Sequence, residues 1–238
     1  MARRLSNRPI LCAVLDAAAL GARPEGFARE LFASGVDWIQ LRDRSLSGES
    51  MFRIARALVT ARDESRSASH APDSVATTAK LFSNRRVLVN RRVDIALATK
   101  ADGAHLGFDA LGEIDARRLL PEDVLLGSSL HRLEEIEARA GPAGPSYAHL
   151  APIWDPISKK ASRPALGLDL LAKACGKGLP ILAQGGIDEK RAAEVIRAGA
   201  AGIAVTGILS GARNPMAVAK QLRQALDGAL DRVSSPEG

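Results

Sequence analysis

Short apolar runs alternate with longer stretches of helical spacing along most of the chain. ILCAVLD (10–16) precedes PEGFARELFASG (24–35), and VDWIQLR (36–42) precedes SGESMFRIARALVTARDESR (47–66). RVLVN (86–90) is followed by RVDIALATKA (92–101), GAHLG (103–107) by EIDARRLL (113–120), and VLLGSSL (124–130) by HRLEEIEARA (131–140). YAHLAPIW (147–154) leads through a loop to GLDLLAKACGKG (167–178), PILAQGG (180–186) to DEKRAAEVIRAGA (188–200), and GIAVTGIL (202–209) to NPMAVAKQLRQALDGAL (214–230). Continuous apolar runs of this length read as parallel strands buried on both faces. Alternation with helices implies right-handed βαβ units. Eight units predict an α/β fold, a TIM (β/α)8 barrel, as a single domain over 1–238. An open doubly wound sheet is the competing arrangement, but the first strand runs into LDAAALGA and lacks the G-x-G-x-x-G turn often found there. The Ser-, Ala- and Thr-rich stretch SRSASHAPDSVATTAK (65–80) breaks the rhythm and reads as a flexible loop carrying an exposed His70. Residues 1–8 and 230–238 read as loose termini.

On a barrel of this kind the chemistry sits at the C-terminal ends of the strands. The chain places Gln40, Arg42 and Arg44 after the second strand and Asn90 and Arg91 after the third. His105 and Asp109 lie at the fourth, Ser129 and His131 at the fifth, Lys159 after the sixth, Gln184, Gly185 and Gly186 at the seventh, and Thr206 and Gly207 at the eighth. Glycine lets backbone amides approach an anion, so Gly185, Gly186, Thr206 and Gly207 form a candidate phosphate site after strands seven and eight. His105 and His149 fall within strands and read as hydrogen-bonded core residues. His131 falls at a strand tip, where an imidazole can act as acid or base; its structural alternative is to cap the following helix or bond a neighbouring loop.

Composition narrows the partners. The net charge of +6 would suit a polyanion, yet the basic residues are scattered, and one Tyr, two Trp and five Phe offer little surface on which bases could stack. A phosphorylated small molecule is the expected partner, with no nucleic acid and no membrane; a homo-oligomer stays open. Cys12 and Cys175 match no metal or redox spacing and suit a reducing cytoplasm. The start, MARRLSNRPILCAVLDAAALGA, has basic residues before an apolar stretch, but Asp16 interrupts it and a strand is expected there rather than a cleaved leader.

The ordered set WIQLRDRSLSG, VLVNRRVDIALATKADGAHLG, LLGSSLHRLEE, PISKK, ILAQGGID and AGAAGIAVTGIL resembles the thiamine-phosphate synthase superfamily over residues 10–212. The resemblance implies a TIM barrel and two branches. The synthase branch joins a pyrimidine diphosphate to a thiazole phosphate with magnesium, using an Asp after the strand-three Asn, a second acid after strand four, and a lysine after strand two. Here those positions hold Arg91, Ala110 (with Asp109 one residue earlier) and Arg44. The tautomerase branch shifts a proton within a carboxythiazole phosphate. Its motifs are similar to Arg42-Asp43-Arg44-Ser45, to Asn90 followed by Arg92-Val93-Asp94-Ile95-Ala96-Leu97, and to Ser129-Leu130-His131. Gln40 is synthase-like, and the branches share the histidine.

The expectation is therefore a thiazole tautomerase, an isomerase without cofactor or metal. His131 would move the proton, and Arg42, Arg44 or Lys159 would meet the substrate carboxylate. Gln40, Asn90 and Ser129 would complete the substrate site. The alternatives are a synthase with a degenerate magnesium site, in which Arg91 replaces the metal's charge, or a non-catalytic barrel that binds thiamine intermediates.

Overall fold

A computed structural model describes residues 5–67, 84–141, 143–155 and 163–234. Most of the expected loop, with His70, lies outside them, as does Lys159. Eight strands close a fully parallel barrel in chain order: β1 (Ile10–Leu15), β2 (Trp38–Leu41), β3 (Arg86–Asn90), β4 (Gly103–Leu106), β5 (Leu125–Leu130), β6 (Tyr147–Leu150), β7 (Ile181–Gln184) and β8 (Gly202–Val205). The described helices are α1 (Ala17–Leu20), α2 (Pro24–Ala33), α3 (Gly48–Ser67), α4 (Val93–Thr99), α5 (Glu113–Leu119), α6 (Leu133–Glu137), α7 (Gly167–Cys175), α8 (Glu189–Arg197), α9 (Gly207–Ser210) and α10 (Pro215–Ser234). Among the described residues no helix is long and apolar enough to cross a membrane.

The strand sequences alternate between two packing environments, because successive side chains face opposite sides of a sheet. Leu11, Ala13, Leu15, Ile39, Leu41, Val87, Val89, Ala148, Leu150, Ile203 and Val205 join the core shared with the helices. The intervening Ile10, Cys12, Val14, Trp38, Leu88, Tyr147, Leu182 and Ala204 form a separate cluster inside the barrel. Continuing that inner parity toward the strand tips gives Gln40, Asn90, His105, Ser129, His149 and Gln184. The lumen thus changes from apolar at its floor to polar at its rim. Inside it, the Trp38 and Tyr147 rings meet edge-on with centroids 5.1 Å apart, and the His105 and His149 rings lie tilted with centroids 4.2 Å apart. Gly127 on β5 makes room for this packing: a Cβ there would lie 2.2 Å from the Tyr147 ring and 2.6 Å from His105 Nδ1.

At the opposite, N-terminal face, two carboxylates tie strands to helices. Asp37, just before β2, accepts from the Leu11 amide at 2.9 Å, from Arg8 Nε at 3.1 Å and from Arg223 of α10 at 2.9 Å. Asp102, just before β4, accepts from the Val87 amide at 2.8 Å and from Arg62 and Arg66 of α3 at 2.6 and 2.7 Å. Several of the chain's arginines are thus engaged far from the rim.

Candidate active site

A cavity of about 440 Å³ opens at the C-terminal rim. Of the residues singled out in the sequence, Arg42, Arg44, Asn90, Ser129, His131, Gly185, Gly186, Thr206 and Gly207 line it. Gln40 does not: it is buried beneath the rim and donates from Nε2 to Asn90 Oδ1 at 3.2 Å, so it orients Asn90. A second cavity of about 860 Å³ lies alongside, between α5 and α6, and shares Ser129 and His131 with the first.

On one side of the cavity the chain turns sharply after β7. Gly185 and Gly186 have φ of +101° and +63°, the region that side chains other than glycine rarely occupy. A Cβ on Gly185 would sit 2.8 Å from Pro152, and one on Gly186 2.5 Å from the Asp155 carbonyl. Arg191 of α8 braces the turn by donating to the Gly186 carbonyl at 2.6 Å, while its guanidinium lies 5.0 Å from the Trp154 ring centre. A helix N-terminus also attracts anions, and α8 begins just after this turn. In the structure Asp188 caps that terminus itself, accepting from the Lys190 and Arg191 amides. What remains for an anion is the glycine turn and the neighbouring Thr206–Gly207 segment. Thr206 Oγ1 accepts a long 3.4 Å bond from Gln184, which ties the two loops together.

The other side is cationic. Asp43 holds the β2 loop in shape by accepting from the Ser45 amide and hydroxyl at 2.8 and 2.7 Å and from the Ala17 amide at 3.1 Å. This presents Arg42 and Arg44 on either side of it. The Arg42 guanidinium is held below the usual guanidinium range, first by desolvation and then by Arg44 and Arg91, with Asp109 opposing. Arg163, which the sequence reading missed, also lines the cavity. It lies in a loop without periodicity, so nothing in the local pattern pointed to it.

His131 sits between the two sides. Its Nδ1–H donates to the Ala151 carbonyl at 2.7 Å, and its backbone N–H donates to Glu135 at 2.7 Å. In the neutral ring Nε2 is then the nitrogen with a free lone pair. His105 is fully buried and bonded to Tyr147 Oη at 3.1 Å and Ser129 Oγ at 2.9 Å. Burial, then His149 and Arg42, hold it well below the ordinary imidazole range. It and His149 are core residues, as their place within strands suggested.

Magnesium needs a set of oxygen ligands. Here Arg91 and Ala110 occupy the two positions that the resemblance assigns to acids. The nearby carboxylate, Asp109, lies 3.2 Å from Arg91 and 4.0 Å from Arg44. No cluster of three or more His, Cys, Asp or Glu side chains suited to a metal occurs among the described residues. The described donor set does not fit a divalent cation.

Among solved structures, the thiamine phosphate pyrophosphorylase of Pyrococcus furiosus superposes with a TM-score of 0.75 at 25% identity, covering 93% of this chain and 97% of that one. The thiamine-phosphate synthase of Mycolicibacterium vanbaalenii is 38% identical over 205 residues, 85% of this chain and 87% of its own. That of Roseiflexus sp. is 34% identical over 228 residues, 95% of this chain and 89% of its own. These relatives overturn the expectation of a thiazole tautomerase, and with it the isomerase class: they are named as synthases, which are transferases. The structure explains how the motifs misled. Val93, Ile95 and Ala96 of the tautomerase-like stretch are buried packing residues of α4, and Arg92 pairs with Asp94 on the surface. None of them lines the cavity. A model described as thiamine monophosphate synthase matches residues 11–209, nearly the whole barrel, and the chain belongs to that family.

Proposed function

We propose that this protein condenses a pyrimidine carrying a diphosphate with a thiazole carrying a monophosphate, the activity for which its relatives are named. The observation that supports this reading is one cavity with two chemically different sides, a glycine turn and a cluster of arginines. Glycine amides after β7 and β8 suit the compact monophosphate, and Arg42, Arg44 and Arg163 suit a larger, more highly charged group. Asn90, held by Gln40, lies on the wall with Ser129.

In such a condensation the C–O bond to the diphosphate breaks, and pyrophosphate leaves with the electron pair. A thiazole ring nitrogen supplies the pair for the new C–N bond. That nitrogen carries no hydrogen, so no proton has to be removed. His131 therefore serves as a wall group that hydrogen-bonds substrate through Nε2. The guanidiniums act where negative charge grows, on the departing diphosphate. The site stays shared with a small phosphorylated partner, the thiazole expected from the sequence.

The test is to incubate the full chain with both precursors together and with each alone, with and without magnesium, and to look for thiamine phosphate. Product that requires both precursors supports the reading. No product under any condition, with the protein folded, removes it.

A further inference from the structure

We propose that the cavity binds the diphosphate without a divalent cation, because Arg91 pairs with Asp109 more closely than Arg44 does, and Arg42, Arg44 and Arg163 line the cavity to meet the anion. The identity of the anion rests on the synthase reading above; the charge arrangement stands on the coordinates.

Three observations meet here. First, Arg91 does not line the cavity, whereas Asp109 does. Arg91 follows Asn90, the last residue of β3, where the chain leaves the sheet. Its backbone adopts a φ of 66°, uncommon for a residue other than glycine, while its N–H donates to the His105 carbonyl at 2.8 Å. From that position its guanidinium lies 3.2 Å from the Asp109 carboxylate and 3.5 Å from the Asp109 carbonyl. Second, the carboxylate a cation would need is thereby paired, and no second acid stands at Ala110. Third, the cations on the cavity side outnumber the carboxylates. Asp109 is the acidic residue lining the cavity among the described residues, against Arg42, Arg44 and Arg163. Burial first, and then the neighbouring Arg44, hold the Arg42 guanidinium below its usual range, with Asp109 opposing. An arriving anion relieves the repulsion, and a divalent cation adds to it.

Arg91 is thus a positioning residue: it acts on the anion through Asp109. The test is calorimetric titration of inorganic pyrophosphate into the full chain, with EDTA or with magnesium. For the natural chain the two affinities should agree within about threefold. Arg91→Asp should weaken binding by about tenfold or more in EDTA, and magnesium should restore part of the loss. Asp109→Asn, which keeps the shape and removes the charge, should tighten binding in EDTA. That second variant decides the matter where Arg91→Asp does not fold. Binding by the natural chain that vanishes in EDTA, no binding in either solution, or weaker binding by Asp109→Asn would overturn the inference. Pyrophosphate binding that survives EDTA while both precursors give no product sinks the synthase reading alone. Thiamine phosphate formation together with pyrophosphate binding that needs magnesium sinks this inference alone.

Discussion

His131 donates from Nδ1 to the backbone carbonyl of Ala151 across 2.7 Å, which joins the tip of β5 to the end of β6. The bond fixes the ring's orientation and its tautomer. In the proposed condensation, which moves no proton, the ring would serve as a hydrogen-bonding wall group. His131→Asn is expected to raise KM for a phosphorylated precursor and to lower kcat by less than about tenfold. General acid–base groups are worth about 10²–10⁴. Steady-state kinetics measure both constants, and a thousandfold fall in kcat at unchanged KM would return His131 to acid–base chemistry.

Gly186→Ala tests the monophosphate side. The substitution puts a side chain at positive φ and a Cβ against the Asp155 carbonyl. The conformational cost alone is about 1–2 kcal/mol. The turn must shift, so KM for the thiazole phosphate should rise about tenfold or more while the melting temperature falls by only a few degrees. Unchanged KM would show that the phosphate is held elsewhere.

The buried histidines give the fold a defined response to acid. Burial pushes His149 down to about 3 from 6.5, with a Gln184 hydrogen bond opposing. Between those values the unfolded chain binds a proton that the folded chain refuses. Stability is therefore full above about pH 6.5 and falls as pH drops, by up to about 1.4 kcal/mol per pH unit for each such ring. His105 shifts in the same direction. Urea midpoints recorded between about pH 7 and pH 5, above the ordinary carboxylate range, should decline toward acid, and His149→Gln should flatten the slope. A pH-independent midpoint in the natural chain would contradict this.

Asp37→Ala removes the carboxylate shared by Arg8, Arg223 and the Leu11 amide at the barrel floor. Breaking a buried pair by deleting one partner costs about 3–5 kcal/mol. Denaturant unfolding should show a loss of that size, with pyrophosphate affinity unchanged wherever the variant remains folded. A loss below about 1 kcal/mol would mean the pairs behave like exposed ones.

Much of the barrel was legible because strand and helix runs differ in period. RVLVN was read as residues 86–90, the span β3 occupies, while VDWIQLR shortened to Trp38–Leu41 because Asp37 turns its carboxylate to arginines and to β1. GIAVTGIL was read as one apolar run with the strand ending near Thr206 and Gly207; it splits into β8 and α9, and a short apolar run looks alike in either state. At the site, position at the C-terminal ends of β3 and β5 put Asn90, Ser129 and His131 on the rim. It could not reveal Arg163, which a loop delivers, nor that Asp43 serves as the brace of its own turn. The choice between reactions failed for a different reason. The tautomerase-like motif on α4 reports how a helix packs, and packing is shared by proteins with unlike chemistry.

The interlocked rings of Trp38, Tyr147, His105 and His149 turn the barrel into a blind cup. Among the described residues these rings and the apolar cluster fill the lumen below the rim, so the proposed precursors would enter and leave by the rim. On the proposed condensation, whichever precursor lies deeper would have to arrive before its companion, so the plug that stabilises the fold would also impose a queue.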